Sequence, residues 1–261
     1  MLITLTNLGI YGTNLQWFYS YLCDRTQYVE TGSRTSNIQR IRSGVPQGTV
    51  LGPTLFTIYI DPMLHHCEGK SEAVAECFAD DSMFYSAGRT VKEAVTKLNG
   101  ALKDVAEWVD KADLVLNKEK CLAMIICSQY SKKKTTEDTT AVQMGEHVLK
   151  LQHSTKYLGV HVDQHLQWDQ QCQLVRKKIN IGTCFINRAK GGLPKEERSS
   201  LYRAFVEPHL DYCAPVWSAT TEKNIGKIET AQRNAVRALT DYTHKNSVEE
   251  LFTELNIEPA R

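Results

Sequence analysis

The clearest pattern in the sequence is a helical one near the middle of the chain. Apolar residues recur there at alternating steps of four and three, at Val91, Val95, Leu98, Leu102, Val105 and Val109. Side chains at that spacing lie on one face of an α-helix, so the segment is expected to form an amphipathic helix. Its apolar stripe must cover another element, and the short apolar runs on either side predict that this element is a sheet.

These short runs have the length and composition of β-strands. VAECF and MFYS flank a polar Ala-Asp-Asp turn and predict a hairpin, and Leu122–Cys127 is expected to form a strand. A further hairpin is expected to end in the sequence KYLGVHVD. The polar stretch Ser128–Thr140 lacks apolar periodicity, and it predicts an exposed loop between the two hairpins.

Helical periodicity takes over in the last third of the chain. The pattern predicts helices over Gln170–Ala189, Lys195–Val206 and Glu222–Leu239. The sequence Gly-Gly-Leu-Pro separates the first two, because glycine ends helices and proline is tolerated in a first turn. We therefore expect an α+β chain whose C-terminal part is helical throughout.

Composition is that of an ordinary globular chain. With 261 residues and 42% hydrophobic content, it can bury a full core in one or two domains. The longest uncharged apolar stretch, Thr54–Ile60, is too short to span a bilayer, and the N-terminus lacks the basic region of a signal peptide. We expect no membrane association and an intracellular location, cytoplasmic or nuclear. The eight cysteines occur singly, which favours reduced thiols over disulfides or zinc sites.

Positive charge is concentrated in one part of the chain, although the net charge is only +1. From Gln171 to Pro208, eight lysines and arginines stand against three glutamates. The basic residues are Arg176, Lys177, Lys178, Arg188, Lys190, Lys195, Arg198 and Arg203. Such a pattern is more often a solvated helix face, and the alternative is a local track for nucleic-acid phosphates.

The strongest candidate for chemistry is the pair of adjacent carboxylates in the predicted hairpin turn, Asp80 and Asp81. Aspartate is also common in turns for purely conformational reasons. A rigid hairpin, however, would hold two carboxylates at a fixed spacing, and Mg²⁺ binds a few carboxylate oxygens together with substrate phosphates. Two such ions about 3.5 to 4 Å apart are the standard device for nucleotidyl transfer. Two aspartates alone would hold both ions poorly.

A second candidate is the glycine- and proline-rich segment Ser43–Pro53, which leads into the apolar run LFTIYI. Glycine lets a backbone approach a ligand closely, and Pro53 suits the first turn of a helix. A plain connector is the more common interpretation of such a segment, and a ligand-binding loop is the alternative.

Together, these two segments resemble a known family. SGVPQGTVLGPTLF followed by FADDSMFY is similar, in order and spacing, to the two best-known boxes of reverse transcriptases of the non-LTR (LINE-like, jockey-type) retrotransposons. LQWFYSYLCDRTQYV and the pair Leu116–Asn117 with Lys120 resemble further segments of this family. KYLGV is similar to its primer-grip strand, and LYRAFVEPHLDYCAPVW resembles its helical thumb. The resemblance covers most of the chain, from about Leu2 to the neighbourhood of Leu251.

The resemblance implies a right-hand polymerase fold and RNA-directed DNA synthesis. The cofactor would be Mg²⁺, two ions in the intact family, with Mn²⁺ as an alternative. The partners would be an RNA template, a DNA primer and deoxynucleoside triphosphates. The chain would divide into a partial fingers and palm region, 1–169, and a helical thumb with C-terminal helices, 170–261.

The resemblance also implies roles for individual residues. The catalytic and metal-binding set would be Asp80 and Asp81, with Lys120 near the triphosphate. The nucleotide and template pocket would involve Pro46, Gln47, Gly48, Phe78 and Ala79. The primer grip would be formed by Tyr157, Leu158 and Gly159, and the duplex backbone would be contacted by Arg176, Lys177, Lys178 and Arg188. For Lys120, a simple surface lysine is an equally good interpretation.

One box of the family pattern has no match in the sequence. An aspartate at the end of a strand, followed by Ala-Phe-Asp, should precede the segment that matches Leu2–Gly12. We therefore expect an N-terminally truncated, incomplete palm without its first catalytic strand, and a chain that is inactive alone because a bridging metal ligand is missing. Three alternatives stay open: completion by another polypeptide or an upstream exon, a catalytically dead nucleic-acid-binding remnant, and a pseudogene product without a stable function.

Overall fold

A computed structural model of the chain describes residues 1–41, 43–46, 48–68, 72–128, 141–240 and 247–259. The chain forms two compact units, one of Met1–Leu122 with Thr135–Lys150 and one of Ala123–Lys134 with Leu151–Arg261. It is a mixed helix-and-strand fold, as expected. Within the described ranges, every helix is too short or too polar to cross a membrane.

The first unit combines helices with short strands. Its helices are α1 (Leu2–Asn7), α2 (Gly12–Leu22), α3 (Gly52–Glu68) and α4 (Val91–Lys111). Its strands are β1 (Thr26–Gln27), β2 (Glu30–Thr31), β3 (Arg34–Thr35), β4 (Gln39–Arg40), β5 (Ala73–Phe78), β6 (Asp81–Ser86), β8 (Gln143–Met144) and β9 (His147–Val148). Strands β7 (Leu122–Ala123) and β10 (Lys150–Leu151) lie where the chain passes from one unit to the other.

Helix α4 confirms the predicted amphipathic helix. The apolar stripe is turned inward, with Val95, Leu102, Val105 and Val109 buried. The Thr90 hydroxyl accepts the N–H of Glu93 at 3.1 Å, so the helix begins with an N-cap of the preferred residue type.

The stripe of α4 packs where the sequence predicted a sheet. Helices α3 and α4 both contact the hairpin β5–β6. The Tyr59 hydroxyl of α3 donates to the carbonyl of Ala112, at the end of α4, over 2.5 Å. The hairpin therefore rests on a two-helix support, and its buried residues include Ala73 and Ala75.

The second unit is mostly helical. It contains the hairpin β11 (Ser154–Tyr157) and β12 (Val160–Asp163), followed by helices α5 (Asp169–Ala189), α6 (Lys195–Phe205), α7 (Glu207–Asp211), α8 (Ala214–Trp217), α9 (Glu222–Leu239) and α10 (Val248–Leu255). The predicted helices α5, α6 and α9 are confirmed, with bounds within one residue of those expected.

One continuous core holds this unit together. It joins the hairpin residue Val160 to the central helices, and its fully buried members include Ile179, Tyr202 and Val236. Helix α5 approaches α6 very closely at Gly182, where an added Cβ would lie 2.7 Å from the carbonyl oxygen of Phe205. A side chain at this position would separate the helices.

A single carboxylate organises the turn from the hairpin into α5. Asp163 accepts the backbone N–H groups of His165, Gln167 and Trp168 at 2.7 to 3.1 Å. Trp168 itself adopts a left-handed backbone conformation, with φ at 64°, directly before the helix. These three bonds account for a sharp turn that periodicity could not predict.

Two sequence expectations differ from the structure or fall outside it. The predicted strand Leu122–Cys127 is regular only over Leu122–Ala123, and the N–H of Cys127 bonds singly to the carbonyl of Gln164 at 3.0 Å. The apolar composition of this segment predicts a strand along its whole length. In the structure, only its first two residues pair with another strand, β10. The predicted loop Ser128–Thr140 lies, apart from Ser128, outside the described residues.

The domain boundary expected after residue 169 remains a prediction. The two compact units divide the chain at a different position, because the hairpin β11–β12 belongs to the same unit as the helices that follow it. Val160 of this hairpin is buried in the same core as α5 and α9.

Candidate functional site

The two aspartates lie at the tip of the hairpin β5–β6. Phe78 pairs with Asp81, so Ala79 and Asp80 form a two-residue turn. Ala79 has φ at 53°, a left-handed conformation that is uncommon for residues other than glycine, asparagine and aspartate. Both aspartates are exposed, and among the described residues no side-chain hydrogen bond or ion pair involves either carboxylate. The tip therefore presents two adjacent, uncommitted carboxylates on a regular hairpin.

The register of the hairpin decides which face carries them. Residues paired across the strands point to the same side, and successive residues alternate. Asp81 thus shares a face with Phe78, Val74 and Tyr85, and all four are exposed. The opposite face, which includes buried Ala75, packs on the helices. Asp81 consequently lies on the open side of a supported hairpin.

This open face carries one internal hydrogen bond. The Tyr85 hydroxyl donates to the Glu76 carboxylate at 3.3 Å, and loss of hydration together with this negative charge raises the pKa of Tyr85. Glu76 is therefore already engaged on the hairpin face, two pairing steps from the tip.

Carboxylate oxygens at the tip are the donors that Mg²⁺ prefers. In the part of the chain that the structure describes, however, no group of three histidine, cysteine, aspartate or glutamate side chains is placed to hold a metal ion. Asp80 and Asp81 thus fit the chemistry of a magnesium ligand, and they supply only part of the donor set for a two-ion centre.

The predicted nucleotide loop is organised by a residue that the sequence analysis did not single out. The Thr49 hydroxyl donates to the carbonyl of Pro46 at 2.8 Å, and it accepts from the Tyr21 hydroxyl at 2.9 Å and from the N–H of Gly52 at 3.2 Å. One side chain therefore fixes both ends of the turn to helix α2. The preference of threonine for local backbone bonds could have indicated Thr49, but nothing local indicates Tyr21.

Glycines make this loop conformation accessible. Gly48 has φ at 75°, and a Cβ at Gly52 would lie 2.9 Å from the carbonyl oxygen of Pro46. Glycine supplies the first conformation without steric cost and allows the second close approach. Gln47 lies outside the described residues.

Lys120 lies in an exposed turn after α4. Its backbone N–H donates to the carbonyl of Asn117 at 3.0 Å. Among the described residues, no hydrogen bond or ion pair joins its ammonium group to Asp80 or Asp81. The described hydrogen bonds and ion pairs therefore do not link the three predicted catalytic residues.

The predicted primer grip is a second hairpin turn, in the other unit. Tyr157 pairs with Val160, and the two residues between them, Leu158 and Gly159, have φ at 43° and 86°. The Tyr212 hydroxyl donates to the carbonyl of Leu158 at 2.5 Å. A Cβ at Gly159 would lie 3.2 Å from the Tyr212 ring. Tyr212, which sequence analysis did not single out, therefore clamps this turn.

The predicted basic residues do not form one track. Arg176, Lys177, Lys178 and Arg188 are all exposed on α5. Consecutive helical residues are about 100° apart, so Arg176 and Lys178 face nearly opposite sides, whereas Lys177 and Arg188 share a face. Arg198, counted in the basic patch, is 3% exposed and contributes to the interior of the unit. The exposed positive surface therefore includes fewer basic side chains on any one face than the count of lysines and arginines in the sequence predicts.

Comparison with known proteins identifies relatives for this arrangement. The sequence profile of the family described as "Reverse transcriptase (RNA-dependent DNA polymerase)" matches residues 2–162. The "RNA-directed DNA polymerase from mobile element jockey" of Drosophila melanogaster is 24% identical over 228 residues, which cover 84% of this chain and 24% of the relative. The "Probable RNA-directed DNA polymerase from transposon BS" of the same species is 26% identical over 253 residues, covering 91% of this chain and 27% of the relative.

A third relative comes from a different insect. The "Retrovirus-related Pol polyprotein from type-1 retrotransposable element R1 2" of Nasonia vitripennis is 25% identical over 203 residues, or 76% of this chain and 48% of the relative. The chain spans about a quarter of the length of the two Drosophila relatives.

Proposed function

Because this chain belongs to the reverse transcriptase (RNA-dependent DNA polymerase) family, we propose that the tip of the hairpin β5–β6 is part of a catalytic centre for RNA-directed DNA synthesis. The reaction joins the 3′-oxygen of a DNA primer to the α-phosphorus of a deoxynucleoside triphosphate and releases pyrophosphate. The observation that supports this function best is the pair of uncommitted carboxylates on the open face of a supported hairpin.

Asp80 and Asp81 would hold Mg²⁺ through their carboxylate oxygens, with Mn²⁺ as an alternative. The bound ions would supply positive charge to the primer hydroxyl and to the departing pyrophosphate. Exposure of both side chains leaves room for an ion and a triphosphate at the tip. The left-handed Ala79 directs the chain through the turn so that both carboxylates stand at its end.

The nucleotide and template would be bound by Pro46, Gln47 and Gly48 of the loop and by Phe78 and Ala79 of the hairpin. A loop that serves this purpose must keep its shape when a ligand arrives. The three hydrogen bonds of the Thr49 hydroxyl provide such rigidity. We therefore assign Thr49 and Tyr21 as positioning residues for this pocket.

Lys120 would stabilise the negative charge of the leaving pyrophosphate or donate a proton to it. The turn Leu158–Gly159 with Tyr157 would press against the primer end. Exposed basic residues on α5, namely Arg176, Lys177, Lys178 and Arg188, would contact duplex phosphates without reading sequence. In this assignment, the right-hand polymerase palm and fingers would lie within 1–169 and the thumb within 170–261.

Catalysis by the chain alone is expected to be weak or absent. The described residues bring no third acidic side chain to the tip, and a two-ion centre needs further ligands to hold both ions. The proposal therefore separates two properties, namely metal binding at the tip and completed polymerisation.

Metal binding at the tip can be tested directly. We expect Mn²⁺, added to the full chain with an RNA–DNA primer–template and a deoxynucleoside triphosphate, to broaden the amide NMR signals of Asp80, Asp81 and their strand neighbours. Asp80→Asn should remove most of this broadening, whereas Asp110→Asn, at an exposed aspartate on α4, should preserve it. Broadening that is equal in both variants, or absent from the hairpin, would contradict the assignment.

Polymerisation is tested by primer extension on an RNA template with Mg²⁺. Extension that Asp80→Asn abolishes and Asp110→Asn preserves would demonstrate an active enzyme and overturn the expectation of inactivity. A chain that binds Mn²⁺ at the tip without extending primers would fit an incomplete centre.

A nucleic-acid-binding remnant is the second candidate function, and the exposed basic residues of α5 favour it. It predicts a salt-dependent gel shift that survives Asp80→Asn and weakens in Arg176→Ala with Lys177→Ala. No shift at low salt would exclude this candidate.

A further inference from the structure

A cleft of about 260 Å³ opens beside the clamped turn of the second unit. Its walls come from three elements: the turn contributes Gly159, helix α5 contributes Lys178, and the segment after α6 contributes His209 and Tyr212. Among the described residues that line it, none is acidic. The cleft is therefore a cationic recess whose rim is a hairpin turn.

Another cavity of the same unit shows that this charge is specific to the cleft. It measures about 420 Å³, and three carboxylates line it, those of Glu207, Asp211 and Glu258, whereas none of the described residues that line it is a lysine, arginine or histidine. The single short helix α7 thus places the carboxylates of Glu207 and Asp211 in the larger cavity and the imidazole of His209 in the cleft. An anion would be repelled from the larger cavity and attracted to the smaller one.

Two of the polar side chains in the cleft, Lys178 and His209, complement each other. Lys178 is exposed and brings an ammonium group to the cleft. Burial lowers the pKa of His209, and the nearby Lys178 ammonium lowers it further. At neutral pH the cleft therefore holds one cation and one uncharged imidazole, whose ring N–H can donate a hydrogen bond. One charge and one neutral donor suit a singly charged anion such as a phosphodiester.

The remaining walls give the cleft a defined shape. The Tyr212 hydroxyl is used to clamp Leu158, and the Gln171 side-chain oxygen accepts the N–H of His161 at 3.0 Å. Both side chains are fixed by these bonds. Lys178 and His209, by contrast, are not tied to the backbone by such a bond among the described residues.

We propose that this cleft binds one phosphodiester group of a nucleic-acid strand, with the Lys178 ammonium as its ionic contact and His209 as its hydrogen-bond donor. The inference rests on the proposed function, because it makes the turn Leu158–Gly159 and the cleft beside it one binding surface. It also distinguishes Lys178 from its neighbours Arg176 and Lys177, which point elsewhere on the same helix.

The test is fluorescence anisotropy of a labelled RNA–DNA primer–template on the full chain, titrated between about 50 and 200 mM salt. We expect Lys178→Gln to weaken binding about fivefold to tenfold and to reduce the salt slope by about one. His209→Gln should weaken binding by a similar factor with the slope unchanged, since a neutral group is removed. Lys178→Arg should restore the slope.

The control is Lys223→Gln, which removes the same charge from an exposed position on α9. If Lys178→Gln and His209→Gln bind no more weakly than this control, the cleft proposal is wrong while the proposed function survives. If the unmodified chain binds no primer–template at low salt, the proposed function itself fails. Circular dichroism spectra matching the unmodified chain are required of each variant.

A competition experiment distinguishes whether the cleft binds a polynucleotide strand or a free anion. Inorganic phosphate or pyrophosphate, added at constant ionic strength, should compete with the primer–template only weakly, because the strand also contacts other residues of the unit. Full displacement at low millimolar phosphate, accompanied by a shift of the His209 NMR signals, would overturn the strand assignment in favour of a free-anion site.

Discussion

Two hairpins of this protein close with turns of the same length, and their surroundings differ completely. In the first, Ala79 and Asp80 form the turn, and within the described chain no side chain bonds to the carboxylates there. In the second, Leu158 and Gly159 form the turn, and the Tyr212 hydroxyl bonds to it at 2.5 Å. The first tip is open and the second is clamped.

The difference corresponds to two kinds of task. A tip that is to bind a metal ion and a triphosphate must keep its oxygens free, because any internal partner would compete with the ligand. A turn that is to press against a nucleic-acid strand must keep its conformation. A hydrogen bond to its backbone and an aromatic ring packed against it hold that conformation. Backbone strain occurs in both turns, but within the described parts of the chain a side chain from another element bonds only to the second.

The largest expected effect is a loss of folding stability at alkaline pH, and it arises in the core on which the clamped hairpin packs. Tyr202 is fully buried in the core that also contains Val160. Burial is the main cause that raises the pKa of Tyr202 to about 12; the bond from Gln232 opposes this rise, and the charges of Glu207 and Asp211 contribute to it. In the unfolded chain the phenol ionises near pH 10.0. Stability should therefore fall between roughly pH 10 and 12, by about 3 kcal/mol in total.

Urea unfolding of the full chain at several alkaline pH values measures this loss. Tyr202→Phe cannot ionise, so its stability should decline less over the same window. Fluorine NMR of 5-fluorotryptophan locates the change, because Trp168 and Trp217 belong to the second unit and Trp108 to the first. Equal pH sensitivity of the variant would show that Tyr202 is not the responsible group.

The next effect tests the clamped turn itself. Gly159→Ala places a Cβ 3.2 Å from the Tyr212 ring, at a residue with φ at +86°. The left-handed conformation alone costs about 1 to 2 kcal/mol with a Cβ, and the contact adds to it. We expect urea unfolding to report a loss of about 2 kcal/mol. Gly145→Ala, also at positive φ but with ordinary contacts, should lose less.

A smaller effect isolates the hydrogen bond. Tyr212→Phe keeps the ring against Gly159 and removes the donor to Leu158, so we expect a loss of about 1 kcal/mol or less. Amide exchange at Val160 should accelerate more than the stability change alone implies. Tyr28→Phe, at an exposed tyrosine, should change neither quantity. Unaltered exchange in Tyr212→Phe would mean that the ring, and not the hydroxyl, holds the turn.

The two hairpins also show what sequence can and cannot predict. The first hairpin can be predicted from the sequence, since two apolar runs around Ala-Asp-Asp specify it locally, although the turn holds only Ala79 and Asp80 and Asp81 already begins strand β6. Helices α4 and α9 were predicted for the same reason, because their periodicity is contained within each segment. What the sequence does not indicate is which distant side chain holds each turn in place. The bond from Tyr212 to Leu158 spans 54 residues and that from Tyr21 to Thr49 spans 28.

The sequence also does not indicate which charged side chains are buried. Arg198 belongs to a helix whose composition is polar, and it was counted with the basic surface, yet it is buried. Helix α6 packs against both α5 and α9, so its polar side chains are enclosed from more than one direction. A one-dimensional charge count cannot detect this enclosure. The basic surface of α5 was predicted as a set, and only its geometry separates Lys178 from Arg176.

The smallest effect tests whether the open tip is also a strained one. Ala79 adopts φ at 53°, and among the described residues no side chain of another element forms a hydrogen bond to this turn. Glycine would remove the steric cost of that conformation, about 1 to 2 kcal/mol, and would add roughly 0.5 to 1 kcal/mol of conformational entropy to the unfolded chain. We expect Ala79→Gly to stabilise the protein by about 0.5 kcal/mol in urea unfolding. Replacement of Ala79 by asparagine, which tolerates the left-handed region, should change stability in the same direction.

The same substitution distinguishes the two hairpins most sharply. Glycine should be tolerated or favoured at position 79, whereas loss of glycine at position 159 should be costly, although both turns have two residues. If Ala79→Gly destabilised the chain, the tip would have to be held by contacts of the Ala79 methyl group, and the contrast between an open and a clamped hairpin would fail. If it stabilised the chain and also weakened Mn²⁺ broadening at Asp81, the rigid alanine turn would be what keeps the two carboxylates at the spacing that a metal ion requires.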